Sequence, residues 1–326
     1  MERVHFLNVK QGDCIWIEHS SGRNTVIDIC NGNAENEDSL AEEMFKGSSN
    51  TLGNYNQKAH PTNPIEYFDV NGLQNIFRFI LSHPDMDHMD GIERLFKEFN
   101  IANFWDTDNN KTIDSFNGIY KKEDWYYYQQ IRKCGGNTKV LRLLAAVEGE
   151  YYTNDHIEIL SPTAELIETA KRNDNYNTSS YVLLFTAWNG KKVVLAGDSD
   201  EIAWESIMAL YSEKLTNIDL LIAPHHGRKT GGCSKYLNVL NPKLTLFGNA
   251  QSEYLDYGSW YNKGLKYITN NQAGNVIIEF GNILCAEVYV SNYNFALDYV
   301  CKYGEGKYRP SSKSTPIGDI YLIDEI

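Results

Sequence analysis

Apolar and polar positions alternate at the start of the chain with the period of a strand, and turn residues break the alternation twice. Three short strands are predicted there, over residues 4–9, 14–18 and 25–29. Residues 34–46 read as a helix, because acidic side chains come early and Lys46-Gly47 closes it, which suits the helix dipole. Residues 48–64 are rich in Asn, Gly and Pro and read as a loop. A continuous apolar run at 75–82 predicts a buried strand. Residues 91–99 then predict a helix with Ile92, Leu95, Phe96 and Phe99 on one face.

Residues 106–137 interrupt this rhythm. Beyond them, strands and helices follow one another over 157–160, 164–171, 181–186, 192–196, 201–211, 219–223, 233–240 and 244–248, with late strands at 275–280 and 283–290. The order predicts an α/β protein built as an αββα sandwich, two strand-rich halves facing each other with helices outside. A single domain is expected over residues 1–300, with an insertion at about 106–137. Residues 301–326 are expected to form a tail in which Ile320-Tyr321-Leu322-Ile323 is a last strand or a docking segment.

Composition narrows the class. With 42% hydrophobic and 22% charged residues, the chain is an ordinary globular one. No apolar run approaches the roughly 20 residues that span a bilayer. Met1-Glu2-Arg3-Val4-His5-Phe6 leads directly into a strand pattern without the features of a signal peptide. A cytoplasmic location without membrane insertion is therefore expected. None of the six cysteines (Cys14, Cys30, Cys134, Cys233, Cys285 and Cys301) forms a Cys-x-x-Cys pair, so they read as reduced small hydrophobes. Cys233, close to a histidine pair, is the one to watch. The net charge of −13 argues against broad, salt-driven binding to nucleic acid, while leaving room for a local basic groove.

The chemistry is concentrated in three strand ends. The strand at 75–82 runs into His83-Pro84-Asp85-Met86-Asp87-His88-Met89-Asp90-Gly91, the one at 192–196 into Gly197-Asp198, and the one at 219–223 into Pro224-His225-His226-Gly227. Imidazoles and carboxylates packed this tightly would strand buried charge unless a cation sat among them. Sites of α/β sandwiches form where loops leave the carboxyl ends of strands.

These residues, in this order, resemble the metallo-β-lactamase superfamily, and within it the soluble hydrolase domain of ComEC-type DNA-uptake proteins. Gln11-Gly12-Asp13, Val26-Ile27-Asp28, Ser82-His83-Pro84-Asp85-Met86-Asp87-His88 and His225-His226-Gly227-Arg228-Lys229-Thr230 carry the resemblance, which covers roughly residues 3–290. With no apolar run long enough to span a bilayer, the channel part of ComEC-type proteins is not expected in this chain, nor is DNA uptake its expected task. The chain departs from the usual pattern in having Asp85 where many members have histidine, Asp90 where a Gly-Gly pair is usual, and no histidine near Asn177.

The resemblance implies two divalent metal ions, Zn2+ or Mn2+. His83 and Asp85 are expected to hold one; Asp87, His88 and His225 the second; Asp198 would bridge them. His226 would be a proton donor or a neighbour of the ligands, Asp87 would also orient the water, and Lys229 or Arg228 would neutralise phosphoryl charge. Asp28 is expected to orient the ligand loop. His5, His19, His60 and His156 read as structural. The oxygen-rich set makes manganese a competitor of zinc. Two such metals about 3.5–4 Å apart would hold a hydroxide able to attack phosphorus.

A dinuclear metal-dependent phosphodiesterase, a nuclease acting on DNA, is thus the leading expectation. A hydrolase of a small molecule (a cyclic nucleotide, phosphate ester or lactone) is the second, a redox member working with a flavin partner the third, and a silent binding module the fourth. The insertion carries Lys121, Lys122, Arg132 and Lys133 among Trp125, Tyr126, Tyr127 and Tyr128. It could hold phosphates and stack bases, although packing of its aromatics on the core is the preferred reading.

Overall fold

The structure is a computed structural model of the chain. It describes all residues except 35–53, 117, 135, 148, 230–234, 252, 305–308 and 317, together with the side chains of 150 and 151. The helix expected over 34–46 lies outside the described residues beyond Ala34, as do Cys233 and Thr230.

The first six strands are β1 (Arg3–Phe6), β2 (Ile15–Glu18), β3 (Asn24–Ile27), β4 (Asn75–Ile80), β5 (Asn100–Trp105) and β6 (Lys139–Leu141). The next six are β7 (Ile157–Ser161), β8 (Val182–Thr186), β9 (Lys192–Leu195), β10 (Leu220–Ile222), β11 (Leu244–Phe247) and β12 (Tyr267–Thr269). Then follow β13 (Val276–Glu279), β14 (Glu287–Val290), β15 (Ser312–Thr315) and β16 (Gly318–Glu325). Among the described residues they make two sheets, ordered β15-β16-β14-β13-β1-β2-β3-β4-β5-β6 and β12-β11-β10-β9-β8-β7. The tail returns to the first sheet, where β16 pairs antiparallel with β14.

Alternation along the strands builds the layers. Phe6, Ile15, Ile17, Ile27, Ile80 and Trp105 of the first sheet meet Leu183, Phe185, Val193, Leu195 and Ile222 of the second in one buried cluster. The other faces are covered from outside. Helices α1 (Pro64–Val70), α2 (Ile92–Glu98) and α3 (Lys122–Ile131) pack on the first sheet through Phe68, Leu95 and Tyr128. The helices next in the chain are α4 (Glu150–Thr153), α5 (Ala164–Asn173) and α6 (Glu201–Tyr211), followed by α7 (Tyr236–Leu240) and α8 (Tyr257–Asn262). Trp204, Leu237 and Trp260 from α6, α7 and α8 cover the second sheet. This is the αββα sandwich expected from the sequence. Two more α-helices are found among the described residues, α9 (Asn270–Ala273) and α10 (Tyr293–Tyr303), and α10 drives Phe295 and Tyr299 into the central cluster.

Helix α1 begins at Pro64, the last residue of the stretch expected to be loop, and continues through residues to which the sequence assigns no element. Its start carries a clear signal: the Asn63 side chain accepts from the Ile65 N–H, and Pro64 stands at the first helical position, where its missing N–H costs nothing. Strands β3 to β6 are parallel, as are β9 to β12, so their carboxyl ends line up along one edge of the sandwich. That edge holds the ligand-rich loops.

Candidate metal centre

Each ligand loop leaves a parallel strand. His83 to His88 follow β4, Asp198 follows β9, and the histidine pair follows β10. Asp28 follows β3, and Asp13 lies two residues before β2. Close approach of the loops depends on glycine: a Cβ on Gly12 would lie 2.0 Å from the Asp87 carbonyl oxygen. The backbone at His225 and His226 stands in the left-handed region, with φ of 50° and 57°. Such conformations cost about 1–3 kcal/mol each and persist where surrounding bonds impose them. Here the His225 N–H is held by the Gly197 carbonyl at 2.9 Å.

Asp198 is at the centre. Its Oδ1 lies 3.4 Å from His88 Nε2 and 3.5 Å from His226 Nε2. Its Oδ2 lies 3.8 Å from His83 Nε2 and 3.6 Å from His225 Nε2. One carboxylate thus faces two pairs of imidazoles. Three rings are oriented from behind: His88 Nδ1 donates to Asp28 Oδ2 at 2.8 Å, His226 Nδ1 to Asp13 Oδ1 at 3.0 Å, and His83 Nδ1 to Ser82 Oγ at 3.0 Å. Asp28 also accepts from the Ser82 N–H and hydroxyl. A proton held on Nδ1 leaves the Nε2 lone pair available to a metal. The Nε2 atoms of His83, His88 and His226 and Asp198 Oδ1 are all buried without a hydrogen-bond partner. Buried polar atoms are ordinarily satisfied, so four converging orphans mark a place built for a cation. Imidazoles with carboxylates are the donors that Zn2+ or Mn2+ takes.

Ligand atoms of His83, His88 and Asp198 lie within 4.8 Å of one another, as do those of Asp87, His88 and His226, and those of Asp13, Asp198 and His226. His226 therefore stands beside Asp87 and His88, the place the sequence reading gave to His225. His225 is on the opposite side of Asp198, with His83. Asp85 is in none of these groups: its Oδ2 is 3.7 Å from His83 Nε2, and its Oδ1 accepts from Lys111 Nζ. The Lys229 side chain is exposed, and its N–H is fixed by the Tyr254 carbonyl at 2.9 Å. Arg228 reaches His225 Nε2 at 3.4 Å.

The field in the centre is strongly organised. Burial opposes charge on His88, yet Asp198, Asp28 and Asp87 outweigh it and raise its pKa well above the ordinary value. His226 is likewise raised, burial being overcome by Asp198 and Asp13. Burial also opposes ionisation of Asp198, but His226, His88 and His83 bring it well below the carboxylate range. His225 is lowered to about 4, chiefly by burial. The shifts of His88, His226 and Asp198 are those of a carboxylate that requires positive charge around it, whereas burial keeps His225 neutral.

Asp13 and Lys111 had no role in the sequence reading. Asp13 carried a signal in Gln11-Gly12-Asp13, whereas nothing local marks Lys111. Asp90, unusual in the motif, accepts from the Asn31 N–H at 3.0 Å and from Asn33 Nδ2 at 2.9 Å, and so fastens the ligand loop to the segment after β3. His5 and His19 lie away from the centre, bonded to Tyr67 and Thr25. In the insertion, Trp125 and Tyr128 are core residues, and Arg132 is buried.

No protein-family model and no curated protein matches the chain. Similar solved structures include a diphosphatase of the PhnP family, at 12% identity and a TM-score of 0.46, with 85% of this chain and 98% of that one covered. A metallo-β-lactamase from Cronobacter sakazakii is similar at 10% identity and a TM-score of 0.37, covering 67% of this chain and 73% of that one. The metallo-β-lactamase SMB-1 is similar at 13% identity and a TM-score of 0.36, covering 68% and 76%. These values describe a distant likeness in chain path, so the functional argument rests on this chain's own residues.

Proposed function

We propose that the chain is a dinuclear metal-dependent hydrolase of phosphodiesters. The observation that carries this reading is Asp198: one buried carboxylate with its two oxygens facing separate pairs of imidazoles, of which His83, His88 and His226 have Nε2 atoms that are buried without a hydrogen-bond partner. His83, Asp85 and His225 would hold one ion and Asp87, His88 and His226 the other, with Asp198 between them. Two cations there would supply Lewis acidity and make water a nucleophile at neutral pH. Asp28, Asp13 and Ser82 keep the imidazoles in the ligating tautomer. Half-buried Asp87 would orient the attacking water and take up its proton, and Lys111 and Arg228 would place positive charge where a phosphoryl oxygen becomes more negative.

DNA, the substrate class suggested by the ComEC-type resemblance, needs a track for bases and phosphates. Trp125 and Tyr128 belong to the core, Arg132 is buried in an internal network, and the net charge is −13. These features favour a small phosphodiester over a polymer. No described helix is long and apolar enough to cross a membrane.

The test is metal analysis of protein purified without chelator, followed by hydrolysis of bis(p-nitrophenyl) phosphate and of single- and double-stranded DNA with Mn2+ or Zn2+. Cleavage of the small diester that is lost in Asp87→Ala and Asp198→Asn is expected. Absence of bound metal after reconstitution, or undiminished cleavage in both variants, refutes the reading.

A further inference from the structure

The two halves of the centre are not alike. On the side of His88 and His226, the imidazole nitrogens are oriented and unpartnered. On the side of His83, two of the donors already have a basic side chain: Lys111 Nζ bonds Asp85 Oδ1, and Arg228 lies at His225 Nε2. Lys111 is no wandering surface lysine. Its side chain is 21% exposed, and its ammonium lies over the ring of Tyr176, 5.5 Å from the centroid. Tyr176 in turn bonds Asn110 Oδ1 at 3.0 Å.

The loop that presents it is strapped from below. Arg132 donates from Nε to Asp106 Oδ2 at 3.0 Å, from one terminal nitrogen to Asn109 Oδ1 at 3.0 Å, and from the other to the carbonyls of Thr107 and Asn109 at 3.1 and 3.0 Å. Asn109 Oδ1 also accepts from the Lys111 N–H at 3.2 Å. A buried guanidinium satisfied in this way fixes a backbone. The insertion has therefore been used to place one ammonium against one carboxylate at the rim.

We propose that Lys111 is a positioning residue that withholds Asp85 from the metal site of His83 until an anionic substrate draws the ammonium away. The inference rests on the metal-hydrolase reading above. An ammonium and a divalent cation compete for the same carboxylate, and each also repels the other at this range. The site of His88 and His226 thus fills first and tightly, and the site of His83 fills weakly. A phosphodiester anion at the rim takes over Lys111, frees Asp85, and offsets the charge of the incoming cation. Loading of that site is then coupled to substrate, and the coupling is reciprocal. Monoanionic phosphodiesters and phosphate monoesters fit this device; uncharged lactones do not.

The test is calorimetric titration of metal-free protein with Mn2+ alone, and again with dimethyl phosphate present. Wild type is expected to show one tight and one weak site, the weak one tightened by dimethyl phosphate. Lys111→Met should tighten the weak site by about tenfold, the size of effect produced just outside a metal's ligands. It should leave the tight site unchanged and abolish the response to dimethyl phosphate. Lys111→Arg, which keeps the cation, should resemble wild type, and circular dichroism confirms that each variant is folded. Two sites whose affinities and response to dimethyl phosphate are unaffected by Lys111→Met overturn this inference and leave the hydrolase reading standing. Failure of wild type to bind Mn2+ or Zn2+ at all refutes that reading, and the inference with it.

Discussion

Asp13 shows how a single carboxylate can govern a neighbouring imidazole. It is buried, and its Oδ1 accepts from His226 Nδ1, so it fixes both the tautomer and the rotation of that ring. Asp13→Ala removes the acceptor while leaving His226 in place. Metal affinity at the side of His88 and His226 is expected to fall about 10- to 100-fold, with the fold intact. Competition with a chromophoric chelator reads the affinity directly, and an unchanged value removes Asp13 from the centre. At this scale the motif was legible, since every ligand-type residue in it is short-range along the chain. The partition of His225 and His226 was not: two adjacent histidines differ only in where a left-handed backbone turns them.

At the scale of elements, the insertion divides into a helix that packs and a loop that reaches the site. Helix α3 places Trp125, Tyr128 and Ile131 in the outer core of the first sheet, and Asp124 accepts from the Gly91 and Glu93 N–H groups at the start of α2. Arg132, at its end, is committed to the loop of Asp106 to Lys111. Arg132→Met is expected to destabilise the protein by about 3–5 kcal/mol, because it removes the close cationic partner of the buried Asp106 carboxylate, leaving it the Tyr128 hydroxyl and the more distant Arg142. Replacing the exposed Lys121, Lys122 and Lys133 together by Ala should change stability by no more than about 0.5 kcal/mol. Urea unfolding of the two proteins separates these outcomes, and equal stabilities would show that the strap carries no weight. Sequence pattern alone puts all four cations in one basic, aromatic stretch. Burial decides that one of them is internal.

At the scale of the molecule, a buried charge cluster ties the first sheet to the segment before β7. The side chains of Arg78 and Asp155 form an ion pair with both partners at 0% exposure, and His19 lies beside them on Thr25. Burial first, and Arg78 second, hold the His19 ring down to about 3. The unfolded chain protonates this ring below about 6.5, so between those values the unfolded state binds more protons and stability falls as the pH drops. Asp155 acts in the same sense at lower pH: despite burial, Ser21 and Arg78 depress its pKa, and its contribution is lost as pH falls through the folded value. One proton is worth about 1.4 kcal/mol per pH unit. His19→Gln is therefore expected to flatten the fall in unfolding free energy between about pH 6 and pH 4, measured by denaturant titration at each pH. Parallel curves for the two proteins would show that His19 does not titrate on unfolding.

Sequence by itself determined the layers and the location of the chemistry. Period-two alternation identifies the strands at the start of the chain, continuous apolar runs identify strands covered on both faces, and ligand-type residues that must meet at one edge are written as strand-then-ligand segments, each within a few residues. That His83, Asp87, His88 and Asp198 come to one edge is legible for that reason. What only the tertiary structure decided is which atoms face each other across large separations. Asp13 and His226 are 213 positions apart, and Lys111 and Asp85 are 26. Those meetings depend on sheet order, on loop closure and on competition among buried charges for partners. None of these leaves a periodic trace along the chain.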